Sequence, residues 1–146
     1  MQELILALLL FIGQNSPMDV DELEPVEVQV VNQEVMAELI NRNSFKKPVR
    51  ADQLGHLLGL FDHNDQSIYL SDKLDLETSY GRSVLLHELV HYVQFKNYLY
   101  AASICHQALE KPAYDLQNDY LVSQGEPPRF NKMFIRAAVG WCAEYL

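Results

Sequence analysis

One short stretch of the chain carries residues that could do chemistry together. Leu85-Leu86-His87-Glu88-Leu89-Val90-His91 holds two histidines four positions apart, with a glutamate beside the first. On a helix, side chains four apart stand on one face, so both imidazoles can reach a single ion. Glu88 sits about 100° further round the helix, where it can approach a water on that ion without being a ligand. Zinc lowers the pKa of such a water toward about 7, within reach of a carboxylate base. The stretch is otherwise apolar, and burying two histidines and a glutamate in it is costly unless they have a task. The competing reading is a pair of hydrogen-bonded core histidines.

A catalytic zinc takes a third protein ligand and keeps one position open. Six residues past His91, where a third histidine could stand, the chain has Asn97. Glu110 follows His91 after eighteen intervening residues, enough for a helix to finish, the chain to turn and a second helix to begin. Pro112 supports a helix start near Glu110, because proline is favoured in a first turn and poor further in. The expected ligands are therefore His87, His91 and Glu110, with Glu88 as the general base. His106 is the competing third ligand.

These residues need a frame. Ser79 to about Lys96 reads as a helix too apolar for a surface element, hence one running through the middle of the domain. Before it, Leu57–Phe61 and Ser67–Leu70 flank the polar run Asp62–Gln66 and predict a hairpin. Further upstream, Val26–Val31 alternates like a half-buried strand. Asn32 can then cap a helix with the stripe Val35, Met36, Leu39 and Ile40, closed by Lys46, Lys47 and Pro48. Met18–Pro25 reads as a linker. After the central helix, Tyr98–Ala108 is expected to be helical. A helix with Ala113, Leu116, Gln117, Tyr120 and Leu121 follows, stopped by Gly125 and Pro127-Pro128, and a last helix spans about Asn131–Trp141. Strands first and helices after predict an α+β domain, a short mixed or antiparallel sheet packed on the central helix.

The bulk numbers fit one such domain. The chain has 146 residues, 49% hydrophobic and 21% charged, with a formal net charge of −9 and no block of Lys or Arg. That argues against nucleic acid as a partner. It also supplies apolar material for a real core.

His87-Glu88-Leu89-Val90-His91 followed by a glutamate on a downstream helix resembles the gluzincins, the thermolysin-like clan of zinc peptidases. The short length and the preceding hairpin resemble the minigluzincins, which keep only the catalytic core. Leu57–Leu121 is also similar to small bacterial proteins with the same two-histidine motif. The first fifty residues add nothing to the resemblance. The resemblance implies a zincin-like fold, one Zn2+ on His87, His91 and Glu110, Glu88 as base, and a peptide or protein substrate. It implies support for a ligand histidine from near position 114, where Tyr114 or Asp115 could serve. It implies a Tyr or His that stabilises the oxyanion, for which Tyr114, on the face of Glu110, is the candidate. It implies an edge strand that pairs with extended substrate, either Gly59–Asp62 or Ser67–Leu70. The alternatives are a non-catalytic metal-bound interaction or inhibitor module, and a zinc hydrolase of a non-protein amide.

The N-terminus bears on compartment. Leu4–Ile12 reads LILALLLFI, too short for a membrane span, which needs about 20 apolar residues. It is the right length for the apolar core of a secretory signal, although no Lys or Arg precedes it and no clear cleavage site follows. On that reading residues 1–17 are a signal peptide, 18–146 form a single minigluzincin-like catalytic domain, and the protein is exported, periplasmic or secreted. The other reading is a buried N-terminal helix of a cytoplasmic protein. Cys105 and Cys142 make no CxxC motif. They are either two buried thiols or, in an exported chain, a disulfide.

Overall fold

The computed structural model describes residues 1–42, 47–55 and 57–145. Along the chain run α1 (Gln2–Asn15), β1 (Glu27–Val31), α2 (Gln33–Arg42), β2 (Gly59–Asp62), β3 (Ser67–Ser71) and α3 (Ser79–Lys96). Then come α4 (Leu99–Ala102), α5 (Glu110–Ser123) and α6 (Lys132–Val139). This is an α+β domain with a three-stranded mixed sheet in the order β1-β3-β2. β3 is the middle strand, parallel to β1 and antiparallel to β2.

The pleat sends alternate residues to opposite faces. Phe61, Ile68 and Leu70 point toward α3. Leu60 and Tyr69 point the other way, onto Met36 and Leu39 of α2. Asn32 caps α2 as expected, its Oδ1 accepting from Val35 N at 3.0 Å. Val35 itself is exposed, and the buried stripe is Met36, Ala37 and Leu39. Of the residues read as closing this unit, Lys46 lies outside the described residues. Lys47 and Pro48 are exposed.

α3 is the middle of the domain. All its residues from Ser83 to Gln94 are buried, so it shows no polar face. Thr78 starts it by accepting from Gly81 N at 2.9 Å. Gly81 lets that first turn close onto the Asp75 carbonyl, because a Cβ there would stand 1.8 Å from the oxygen. Lys96 is its last residue. Asn97 Nδ2 then donates to Val93 O, and Tyr98 adopts a left-handed conformation with φ 60°. α1 and α5 also pack on α3. Leu8 and Ile12 of α1 are buried in the main core, and Phe11 packs edge-on against Tyr120 of α5. The apolar run Leu4–Ile12 thus lies within a helix packed on the main core. No helix among the described residues is long and apolar enough to cross a membrane.

Two expectations need correction. Tyr98–Ala108 is not one helix. It breaks after α4 at Ser103–Cys105 and resumes as a 3-10 turn over His106–Leu109. Cys105 is extended (φ −140°) and joined to Cys142 by a disulfide, which pulls the chain out of helical geometry. The last helix stops at Val139, because Gly140 takes φ 61° and a 3-10 turn follows. The disulfide closes a sequence separation of 37 residues. With Ile135 and Val139 it makes a small second core beneath Ala108, Tyr114 and Phe130.

Candidate metal centre

His87 and His91 lie on the buried face of α3, and Glu110 opens α5 opposite them. His87 Nε2 is 3.1 Å from His91 Nε2 and 3.2 Å from Glu110 Oε2, and His91 Nε2 is 3.4 Å from Glu110 Oε1. Ligand atoms bonded to a tetrahedral ion at about 2.0–2.1 Å stand about 3.3–3.4 Å apart. Each spacing is of this size, the two to Glu110 running to its two different oxygens, and among the described residues these three form the one group of three or more such side chains able to hold a metal ion.

The hydrogen bonds behind the rings decide what the three atoms are. Gln94 Nε2 donates to the Leu109 carbonyl at 2.9 Å, so its Oε1 is the atom facing His91 Nδ1, also at 2.9 Å. Ser83 Oγ donates to Tyr80 O and accepts from Gln117 Nε2 at 3.0 Å, so Gln117 Oε1 faces His87 Nδ1 at 3.1 Å. An amide oxygen only accepts, so both Nδ1 atoms carry protons. In the neutral rings both Nε2 atoms are then bare lone pairs. Two lone pairs and a carboxylate converge on one point, an arrangement that calls for a cation, either a proton or a metal ion.

The electrostatics agree. Burial alone would lower His91, but the Glu110 carboxylate beside it wins and raises it to about 9. Burial alone would raise Glu110, but its hydrogen bonds from His87 and His91 hold it far below the ordinary carboxylate range. Glu88 is buried next to this group without belonging to it, and burial raises its carboxyl. The Phe61 backbone amide of β2 hydrogen-bonds it.

Two clefts of about 520 and 390 Å³ meet over the centre, sharing Leu57, Gly59, His87, Glu88 and Tyr114. The larger is apolar, walled by Val84, Tyr80, Phe130 and Phe134. The smaller carries His63, Tyr100 and His106. β2 borders both. Ser71 N donates to Leu58 O, so alternation along the ladder turns the N–H and C=O of Gly59 and Phe61 to the free edge of the sheet.

The residues named from the sequence fall as follows. His87, His91 and Glu110 come together, with Glu88 adjoining. Tyr114 packs its ring on His87 at 4.5 Å between centroids, and burial pushes its phenol up to about 12, so it keeps its proton. Asp115 does not support a ligand. It faces out and pairs with Lys111, one helical turn away, and the supporting position is taken by Gln117. His106 is exposed in the cleft wall, its ring centroid 5.5 Å from that of Tyr100, and is not in the ligand group. Of the two strands considered for pairing with substrate, Ser67–Leu70 is excluded, because β3 is flanked by β1 and β2. Gln94, Gln117, Tyr100 and Gly59 were not anticipated. Gln94 lies one turn after His91 and Gln117 two turns after Glu110, each on its ligand's face, so helical spacing held the signal. Tyr100 Oη lies 3.2 Å from His91 Nδ1, across a chain reversal that spacing does not reveal.

Fold and site together define a small α+β domain built around a buried two-histidine, one-glutamate centre. The chain belongs to the family described as Domain of unknown function (DUF6647), which matches residues 1–144. No curated protein and no solved structure matches it.

Two outcomes are expected. Metal analysis after dialysis should find the ion lost from Glu110→Gln and retained by His106→Ala; the reverse pattern would move the third ligand to His106. In the metal-free protein, His91 sits at about 9 against an ordinary 6.5. A raised value stabilises the fold fully below the ordinary pKa, and that stability is lost as pH climbs through the raised one. Melting curves of chelator-treated protein should therefore show Tm falling between pH 6.5 and 9, while protein saturated with a divalent metal ion shows no such fall. A flat metal-free profile would contradict the His91–Glu110 pairing.

Proposed function

We propose that this protein is a zinc-dependent peptidase. The observation that carries the reading is Glu88, a buried carboxylate in the same cleft as the ligand triad and outside it. A site that only held a metal would have no use for that group, and burying it is costly. A non-catalytic module therefore explains less.

His87, His91 and Glu110 would hold the ion, and two neutral imidazoles with one carboxylate are a donor set that suits zinc. Zinc bound there supplies a polarised carbonyl and an acidified water. Glu88 accepts a proton at its carboxylate and delivers it to the leaving amine. Burial shifts its carboxyl upward, the direction that suits a group which must both take and return a proton. Extended substrate adds to β2 through the outward N–H and C=O of Gly59 and the C=O of Phe61, and the apolar cleft receives a side chain. Tyr114 lines both clefts and keeps its proton, so it is the donor we assign to the developing negative charge. The Cys105–Cys142 disulfide favours an oxidising, exported setting.

Glu88→Gln is expected to abolish hydrolysis of a peptide library while zinc stays bound. The swap keeps the volume and the ligands but removes the base, an effect of about 10² to 10⁴-fold in rate. Near-normal turnover with zinc in place would defeat the peptidase reading.

A further inference from the structure

Gly59 stands in the middle of the groove, within a strand, where glycine is an unfavourable choice. Its backbone does not call for it, since Gly59 is not among the residues with positive φ. What stands opposite is Glu88. A Cβ at position 59 would lie 2.8 Å from Glu88 Cγ, 2.9 Å from its Oε1 and 3.2 Å from its Cδ. Non-bonded carbons settle at about 3.5–4.0 Å, so a methyl there and the present Glu88 side chain cannot both stay where they are. The two backbones are held, so the Glu88 side chain is what must move. β2 is fixed by its pairing with β3, and Glu88 rises from the fully packed α3.

We propose that Gly59 is a positioning residue for Glu88. The missing side chain is the space into which the carboxylate folds. There the backbone of Gly59 flanks it and the Phe61 amide hydrogen-bonds it. This keeps open the rotamer that leaves the carboxylate beside the His87–His91–Glu110 group, where a methyl at position 59 would drive it out along the cleft. The catalytic consequence rests on reading Glu88 as the base, but the contact itself does not.

The contact is tested by placing Gly59→Ala in three backgrounds: the unaltered chain, Glu88→Gln and Glu88→Ala. Glutamine keeps the crowding atoms without the charge, and alanine removes them. The expected result is a fall in Tm on the order of 3–5 °C for a chain of this size in the first two backgrounds and none in the third. Equal falls in all three would overturn the proposal, since Gly59 would then serve the strand alone. Should Gly59→Ala fail to fold by itself, folding in the Glu88→Ala background supports the contact and failure there overturns it. Where the unaltered protein cleaves a peptide, Gly59→Ala should lower kcat at least tenfold, with zinc content unchanged and KM within about twofold. Unchanged kcat would overturn the positioning role. Absence of cleavage by the unaltered protein would count against the peptidase reading, while the Tm comparison would still decide the contact.

Discussion

Two imidazole lone pairs and a carboxylate are aimed at one another within 3.4 Å, and that convergence is the constraint on which the rest of the structure depends. Like partial charges so close repel unless a cation lies between them. The protein holds them there by removing their other choices. Gln94 and Gln117 each fix a ring by accepting its Nδ1 proton, and each amide is pinned in turn, by the Leu109 carbonyl and by Ser83. Supporting groups of this kind orient ligands and set their tautomers. Gln94 does a second thing. It ties the helix that carries the histidines to the residue just before Glu110, so the two halves of the centre are joined by one side chain.

A helix with this much polar chemistry in its middle is expensive to bury. Histidines, glutamate, glutamine and serine all lie on the buried part of α3. The cost is met by completeness, since no buried side-chain nitrogen or oxygen among the described residues lacks a partner. Around that polar stripe the packing is apolar, with residues of the sheet, α1 and α5 in one core. The third ligand has a separate anchor. The 3-10 turn that leads into Glu110 begins beside Cys105, and the disulfide with α6 and its small core holds that turn.

Much of this was legible in the chain, and the reasons are local. Ser79 to Lys96 reads as a central helix because it is too apolar for a surface element. Asp62–Gln66 makes a hairpin because its polar residues break two apolar runs. Pro112 places the start of α5 because proline suits only a first turn. What was not legible depends on contacts between distant segments. The parallel pairing of β1 with β3 joins strands separated in the chain by α2 and β2. The break at Ser103–Cys105 follows from a partner 37 positions away. Asp115 looked like support for a ligand only because it neighbours the right turn of α5. The face of the helix decides, and Gln117 is on it. Gly59 reads as a weak point of a strand until the side chain opposite is known.

The central claim is that the three converging atoms hold one zinc ion with a coordination position to spare. X-ray absorption at the zinc edge of the reconstituted protein tests it most directly. The account predicts nitrogen and oxygen neighbours only, at about 2.0–2.2 Å, with the scattering of two imidazoles, one carboxylate and a solvent oxygen. A sulfur neighbour, a third imidazole in place of the carboxylate, or failure to retain zinc at all would contradict it.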